Sequence, residues 1–230
     1  MIKHKFQCMK NKYITFVILC LVISSCNYFK HNRIYDKKQI ENKEILATEI
    51  LLQDFLITKR VLQILEKASY CLDEGEQVSK ETFDEIIEVI NEFSDKCHRE
   101  KEEKILFPFL KDIKENGKID FLCQLLMEHV TARELIRNLS ELTNKFHQGK
   151  KARKRISRVA HTYIKHMRKH IQTEEKILFP WINKVLTPDD HVLLIKKFEE
   201  MNQEEYKSGL YENYVSKIED LEKQLQIYLE

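Results

Sequence analysis

The chain has 230 residues, enough for one folded domain and a short appendage, and its composition excludes several classes of protein. Four glycines, three prolines and 33% charged residues are typical of a helical chain rather than a β-rich or disordered one. The formal net charge of +2 gives no indication of nucleic-acid binding, which requires a concentration of basic residues.

The first predicted element is an export signal at residues 1–25. Four lysines and no acidic residue precede an apolar run over 13–25, which is shorter than the roughly 20 residues that cross a bilayer. The run ends in Ile23-Ser24-Ser25-Cys26, which resembles a bacterial lipoprotein box, where cleavage exposes the cysteine for acylation. We expect an exported protein, lipid-anchored through Cys26 at the bacterial cell membrane or outer membrane, with residues 26–44 as a polar tether. An uncleaved anchor and a signal peptide followed by an ordinary cysteine are the alternatives.

Beyond the tether, apolar residues recur at spacings of three and four, which predicts amphipathic helices. In the fourth predicted helix, the inward stripe comprises Tyr163, Met167, His170, Glu174, Ile177 and Trp181. Ser79 is a predicted N-cap, and Gly75, Gly117 and Gly149 lie where the periodicity breaks. Short connections make successive helices antiparallel neighbours, so the pattern predicts an all-α, up-down-up-down four-helix bundle over 45–186. The predicted helices cover about 45–70, 80–114, 119–146 and 152–185.

A helical extension is predicted at 187–230. It begins with Thr187 as N-cap, Pro188 in the first position and two aspartates in the first turn. A final helix starts near residue 207. We expect this extension to pack on the outside of the bundle, with pairing to a partner chain as the alternative.

One motif occurs twice in the chain. The seven residues from Glu102 to Pro108 are identical to those from Glu174 to Pro180, and a histidine precedes each copy by four residues, at His98 and His170. Residues four apart share a helix face, so each histidine lies above its glutamate. Core packing alone does not require such identity, because other apolar residues of similar volume fill the same space.

A third histidine, His129, falls on the inward stripe of the third predicted helix. A polar group in that position costs several kcal/mol unless it is paired or bound to metal. One such histidine is usually an ordinary core residue, and one His-x-x-x-Glu is often a surface pair, but the two copies and the third histidine together favour a metal site. Such a set suits iron, manganese or zinc. The predicted ligands are His98, Glu102, His129, His170 and Glu174.

At these residues the sequence resembles the hemerythrin-like (HHE cation-binding) family. The resemblance rests on four stretches: "KEEKILFP" after Cys97-His98, "MEHVTARELI", "YIKHMRKHIQTEEKILFP" and "LTPDDHVLLIKKFEEM". It implies a four-helix bundle with a non-haem, usually di-iron, centre that binds oxygen, senses oxygen or iron, or handles nitric oxide. Carried over by position, the three histidines are the imidazole ligands, and Glu102 and Glu174 are the bridging carboxylates.

Two positions depart from the family pattern. The family usually has a histidine in the first helix, where this chain has Phe55, and many relatives carry a second ligand after the helix 2 histidine, where this chain has Arg99. We therefore expect the cation beside His98 to be the weaker one. His166, one turn before His170, is a possible extra ligand. Against this, Met167 occupies the inward position of the helix, which places His166 at the edge of the inward stripe.

The remaining chemically active side chains are assigned structural roles. Cys71, Cys97 and Cys123 form no Cys-x-x-Cys and are expected to be small buried residues without disulfides. His147, His161 and His191 are expected on the surface. The basic run over 150–158 is interpreted as a solvated helix start, with contact to an anionic membrane as the alternative.

Three functions are compatible with this sequence. The first is an exported iron-binding protein that binds or senses O2 or a related small ligand such as NO. The second is a di-iron enzyme that reduces nitric oxide or peroxide or oxidises Fe2+. The third is a metal-depleted bundle that acts as a surface interaction lipoprotein, an alternative motivated by Phe55 and Arg99. We rank the binding protein first.

Overall fold

The computed structural model describes residues 46–111, 113, 118–207 and 210–227. The predicted signal peptide, Cys26 and the tether lie outside these residues. Within the described part, every element is helical, which confirms the predicted all-α class. No helix there is both long enough and apolar enough to cross a membrane.

Four antiparallel bundle helices form the core. The first is α1 (Ala47–Glu74) and the third is α4 (Ile119–Thr143). The second and fourth are composite, because π-helical turns interrupt them. Each bundle helix packs on its neighbours in sequence, and the fourth also packs on the first, which closes the bundle. The second comprises α2 (Lys80–Val89), π-helical Ile90–Arg99 and Glu102–Leu106, and α3 (Phe107–Lys111). The fourth comprises α5 (Lys150–Thr173), π-helical Glu174–Leu178 and α6 (Phe179–Val185).

The predicted helix ends agree with local chemistry. The Ser79 side chain accepts a hydrogen bond from the Thr82 N–H, as expected of an N-cap. Gly75 ends α1 with φ of 77°, a left-handed conformation that glycine adopts without a side-chain clash. Asp190 N–H donates to Thr187 Oγ1 at 3.2 Å and Thr187 N–H donates to Asp190 at 2.9 Å, so the two residues cap the helix that begins at Pro188 reciprocally.

Both copies of the repeated motif form a π-helical turn. In each, the Phe N–H donates to the carbonyl of the glutamate five residues earlier: Phe107 to Glu102 and Phe179 to Glu174. The prolines that follow lack an N–H and cannot continue a regular ladder. The wider turn is typical of functional sites in helices.

Because of this wider turn, the inward positions predicted after Glu174 in the fourth bundle helix are wrong. The three-and-four spacing placed Ile177 and Trp181 inside the bundle, but Ile177 is 50% exposed and Trp181 is half-buried. Leu178 and Ile182 are fully buried instead. A π-helical turn contains one more residue than an α-helical turn, so the inward position after Glu174 comes one residue later.

Two helices extend the bundle, α7 (Pro188–Lys207) and α8 (Leu210–Gln224). α7 packs on α1, and α8 packs on α1 and α2. Arg60 of α1 holds Glu222 of α8 with two hydrogen bonds of 2.8 and 2.7 Å. The extension therefore lies against the bundle, as expected.

His191 is not a surface residue, contrary to the prediction. It is 3% exposed, and its Nδ1 accepts the Ala47 N–H at 3.1 Å. The residue that precedes α1, Leu46, provides no side-chain cap, so His191 satisfies one of the free N–H groups at the helix start. His147 and His161 are exposed, as expected.

The cysteines agree with the prediction in part. Cys71, Cys97 and Cys123 are all free thiols, and the first two are buried. Cys123 is exposed, contrary to expectation, because α4 turns its Leu122 and Leu125 face toward the core and Cys123 lies on the outer face.

Candidate metal centre

Four of the five predicted ligands converge in the middle of the bundle. Glu102, His129, His170 and Glu174 each offer one ligand atom, and these atoms all lie within 4.8 Å of one another. His129 Nε2 is 3.4 Å from a Glu102 oxygen, and His170 Nε2 is 3.3 Å from a Glu174 oxygen. All four side chains are buried. The structure therefore contains a cluster of two imidazoles and two carboxylates that is compatible with a metal site.

Carboxylates behind the two histidines fix the direction of the imidazole rings. Nδ1 of His129 donates to Glu103 at 2.7 Å, and Nδ1 of His170 donates to Glu128 at 2.8 Å. An ionised carboxylate only accepts, so the ring proton lies on Nδ1 and the lone pair on Nε2. The two Nε2 atoms face each other at 3.0 Å. Two lone pairs at that distance repel, and a shared cation removes the repulsion.

The protonation states support this arrangement. Burial lowers the pKa of both His129 and His170 to about 4, although hydrogen bonds to Glu103 and Glu128 oppose the shift. Both rings are therefore neutral at pH 7. The hydrogen bond from His170 lowers the pKa of Glu128 to about 2, so this carboxylate is ionised. Neutral imidazole is the form that binds metal.

The two inner carboxylates, Glu102 and Glu174, are buried without hydrogen-bond partners in the described part of the chain. Glu102 and Glu174 are 0% exposed, and no hydrogen-bond partner reaches any of their four oxygens from the described residues. Burial raises the pKa of Glu102, and burial together with the Glu102 charge raises the pKa of Glu174 well above its usual value. Buried polar atoms in native proteins nearly always have partners. A bound cation supplies partners for these oxygens, so the donor set fits a metal ion.

The fifth predicted ligand, His98, lies at one side of the cluster. Its Nε2 is 3.5 Å from a Glu102 oxygen and has no hydrogen-bond partner among the described residues. Its Nδ1 faces Asp54 at 3.3 Å, in the same outer relation that Glu103 has to His129. His98 is not among the four residues whose ligand atoms lie within 4.8 Å of one another.

Around His98, the two departures from the family pattern are both buried. Phe55 places its ring centroid 4.5 Å from that of His98 and stacks on Phe179 at 5.7 Å. Arg99 is 2% exposed and pairs with Asp95 at 3.1 Å. Its positive charge lowers the pKa of Glu102 and Glu174 against the larger effect of burial.

His166 lies outside the cluster. Its Nε2 donates to the backbone carbonyl of Glu128 at 2.8 Å, so the nitrogen is already engaged with α4. The bundle therefore does not bring His166 to the other donors.

The sequence interpretation assigned no role to four charged residues around the site: Asp54, Lys101, Glu103 and Glu128. Two of the three carboxylates adjoin predicted ligands, Glu103 after Glu102 and Glu128 before His129, and that adjacency was the available signal. It is weak, because Glu175 occupies the same place in the second motif and instead pairs with Lys59 near the surface. Lys101 is 1% exposed and donates to Asp54 at 2.8 Å, a pairing that no sequence spacing indicates.

With this geometry established, comparison with known proteins identifies the class. The sequence profile of the hemerythrin HHE cation binding domain matches residues 59–182. The chain belongs to this family, whose members bind metal ions, typically iron. An uncharacterized protein of Mycobacterium bovis and one of Mycobacterium tuberculosis are each 25% identical to the chain over 186 residues, which cover 80% of this chain and 72% of each relative. No solved structure matches the chain.

The outer carboxylates give a first testable prediction. Glu103→Gln and Glu128→Gln should each weaken metal binding about 10- to 100-fold, because an amide can present its NH2 to the ring nitrogen and no longer fixes the tautomer. Competition titration with a metallochromic chelator measures the change. Glu175→Gln, in the equivalent place of the second motif, is the matched control and should leave affinity unchanged. An unaltered affinity in both variants would contradict the orienting role.

Proposed function

We propose that this chain is a non-haem iron-binding protein whose centre binds or senses O2 or a related small ligand such as NO. The proposed metal ligands are Glu102, His129, His170 and Glu174, with His98 as a weaker ligand at the side. Iron is the expected metal, and manganese and zinc are compatible with the same donors.

One observation carries this proposal: inward-facing donor atoms that have no other function in the folded chain. The Nε2 atoms of His129 and His170 face each other at 3.0 Å, and four carboxylate oxygens beside them have no hydrogen-bond partner among the described residues. A bundle that had lost its metal would gain stability by filling these positions with apolar side chains. This weighs against the metal-depleted alternative.

The surroundings of the cluster favour a small uncharged ligand. Phe107 stacks on the His129 ring with centroids 5.9 Å apart, Phe55 covers His98, and Met167 is buried nearby in α5. An anion entering this interior would lose its hydration and meet two carboxylates. A diatomic gas loses little hydration.

Bound iron would supply open coordination positions for such a ligand. The protein's own contribution is to hold the imidazoles by their Nδ1 atoms, to keep bulk water from the centre, and to place the Arg99 charge near the carboxylates. All four clustered donors are proposed as metal ligands, which leaves none of these four free to act as a dedicated acid or base. We therefore rank ligand binding above turnover.

The proposal is tested with the full chain, purified in detergent and loaded with Fe2+ without oxygen. We expect at least one iron per chain and a change in visible absorption when O2 or NO is admitted. Glu175→Gln should behave as the unmodified chain, whereas His129→Ala should hold no iron and give no change. Iron content below about half an equivalent per chain would overturn metal binding. Iron retention with spectra that neither gas changes would overturn ligand binding alone.

We also propose that the protein is exported and anchored through acylated Cys26. The support is the leader at 1–25 and its lipoprotein-type end, which lie outside the described residues. Cells grown with a labelled fatty acid should yield labelled protein from the unmodified gene and unlabelled protein from Cys26→Ser. Equal labelling of both would overturn the proposal.

A further inference from the structure

We propose that the centre holds one divalent cation per chain, and that Phe55 and the buried Lys101–Asp54 pair exclude a second. This inference rests on the proposed metal binding and specifies its stoichiometry. It departs from the usually di-iron centre that the family resemblance implies.

Three of the separations among the four inner donors match a single ion. Ligands about 2.1 Å from one ion lie about 3.0 Å apart in octahedral and about 3.4 Å apart in tetrahedral geometry. The observed separations are 3.0 Å between His129 and His170, 3.4 Å between His129 and Glu102, and 3.3 Å between His170 and Glu174. In two-metal sites the ions are about 3.5–4 Å apart. Imidazoles that ended on different ions would hold their nitrogens farther apart than 3.0 Å, so His129 and His170 converge on one point.

The side of the cluster that faces His98 lacks the ligands for another ion. His98 Nε2 and one Glu102 oxygen, 3.5 Å apart, are the donors in contact there. The adjacent position on α1 is Phe55, which is 1% exposed and covers the His98 ring. Asp54, the neighbouring carboxylate, faces Nδ1 on the outer edge of that ring and not Nε2. Even an open metal site usually has three protein ligands besides water, so these two donors do not hold a second ion.

The ion pair with Lys101 prevents Asp54 from acting as a metal ligand. The lysine ammonium group donates to Asp54 Oδ2 at 2.8 Å, and both side chains are buried, with exposures of 1% and 7%. The lysine precedes Glu102 in the chain, so its charge is fixed beside the centre by the same helical turn. For a second ion to recruit Asp54, it would have to break this pair and leave a buried ammonium without a partner, which is strongly unfavourable.

The balance of buried charge also corresponds to one ion. A single divalent cation neutralises Glu102 and Glu174, while Lys101 is matched by Asp54 and Arg99 by Asp95. A second divalent cation would add two positive charges, and the remaining carboxylates at the site, Glu103 and Glu128, lie behind the histidines, where they accept hydrogen bonds from the Nδ1 atoms.

Stoichiometry tests the inference by a readout other than activity. The full chain is titrated with Mn2+ in detergent, and bound metal is counted by elemental analysis and native mass spectrometry. Electron paramagnetic resonance distinguishes an isolated Mn2+ ion from a coupled pair. We expect one ion per chain and the spectrum of an isolated ion. Two ions would overturn the inference and leave the proposed metal binding intact, whereas no bound metal would overturn both.

A double variant tests why the second ion is excluded. Phe55→His/Lys101→Met supplies an imidazole and removes the buried ammonium group beside the centre, so its stoichiometry should double, with the spectrum of a coupled pair. Lys104→Met is the matched control, because Lys104 is an exposed lysine one turn away that pairs with Glu100, and it should still bind one ion. A folded double variant that binds one ion would overturn the assigned roles. Should the double variant fail to fold, Phe55→His alone is judged by the same criterion.

Discussion

Glu174→Gln should abolish metal-dependent stabilisation of the protein without lowering the stability of its metal-free form. Ligand binding to the native state stabilises it by about 4 kcal/mol when free metal is about 1,000 times the Kd, which corresponds to roughly 10 °C in Tm for a domain of this size. The unmodified chain should show this rise when Fe2+ is added without oxygen. The variant should show none, because a neutral amide cannot replace the carboxylate.

Without metal, Glu174→Gln should not lower the stability of the protein. Glu174 is 0% exposed, lies close to Glu102 and has no hydrogen-bond partner within the described part of the chain. Its carboxylate therefore carries a desolvation cost that an amide of the same shape reduces. We expect the metal-free variant to melt at or above the temperature of the metal-free unmodified chain.

Thermal melts followed by circular dichroism, with and without metal, measure both effects. Glu175→Gln, which changes the adjacent glutamate near the surface, should reproduce the unmodified chain in both conditions. A metal-induced rise that survives Glu174→Gln would show that the ion binds elsewhere.

Asp54→Ala should destabilise the metal-free protein by about 3–5 kcal/mol, because it leaves the ammonium of Lys101 buried and unpaired. Breaking a salt bridge at the surface costs far less, about 0–1 kcal/mol. The exposed pair of Arg168 and Glu66 provides this comparison, and Glu66→Ala should stay within that smaller range.

A double-mutant cycle measures the interaction free energy between Asp54 and Lys101 separately from the effect of each single substitution. Asp54→Ala/Lys101→Met removes both charges, so it should recover most of the stability that Asp54→Ala loses. Urea unfolding of the four proteins in the presence of a chelator gives the free energies. If Asp54→Ala lies within about 1 kcal/mol of the unmodified chain, Lys101 is not held as an unscreened buried charge, and its role in excluding a second ion fails too.

The fold could be predicted from sequence because its signals are local. Three-and-four spacing, the Ser79 and Thr187 caps and Gly75 each act within one or two helical turns, and the all-α bundle follows from them. The site residues could also be predicted from sequence, because in each copy of the repeated motif a histidine and a glutamate lie four residues apart on one helix face.

What escaped prediction depends on tertiary contacts or on a change in helical period. The inward places of Leu178 and Ile182 follow a π-helical turn, which a constant period of 3.6 residues cannot describe. His191 is buried because it caps a helix whose start lies 144 residues earlier. Lysine is usually a surface residue, so burial of Lys101 is not expected from sequence, and only the fold brings Asp54 to it.

The complete burial of the inner donors has a consequence for how the ion is exchanged. Glu102, His129 and Glu174 are 0% exposed, so an ion can reach or leave them only when the helices part transiently. Exchange is then as slow as those openings, and affinity for divalent metals does not by itself select iron over its competitors. For the proposed centre, we therefore expect the bound metal to be the ion that is abundant in the compartment where the chain folds.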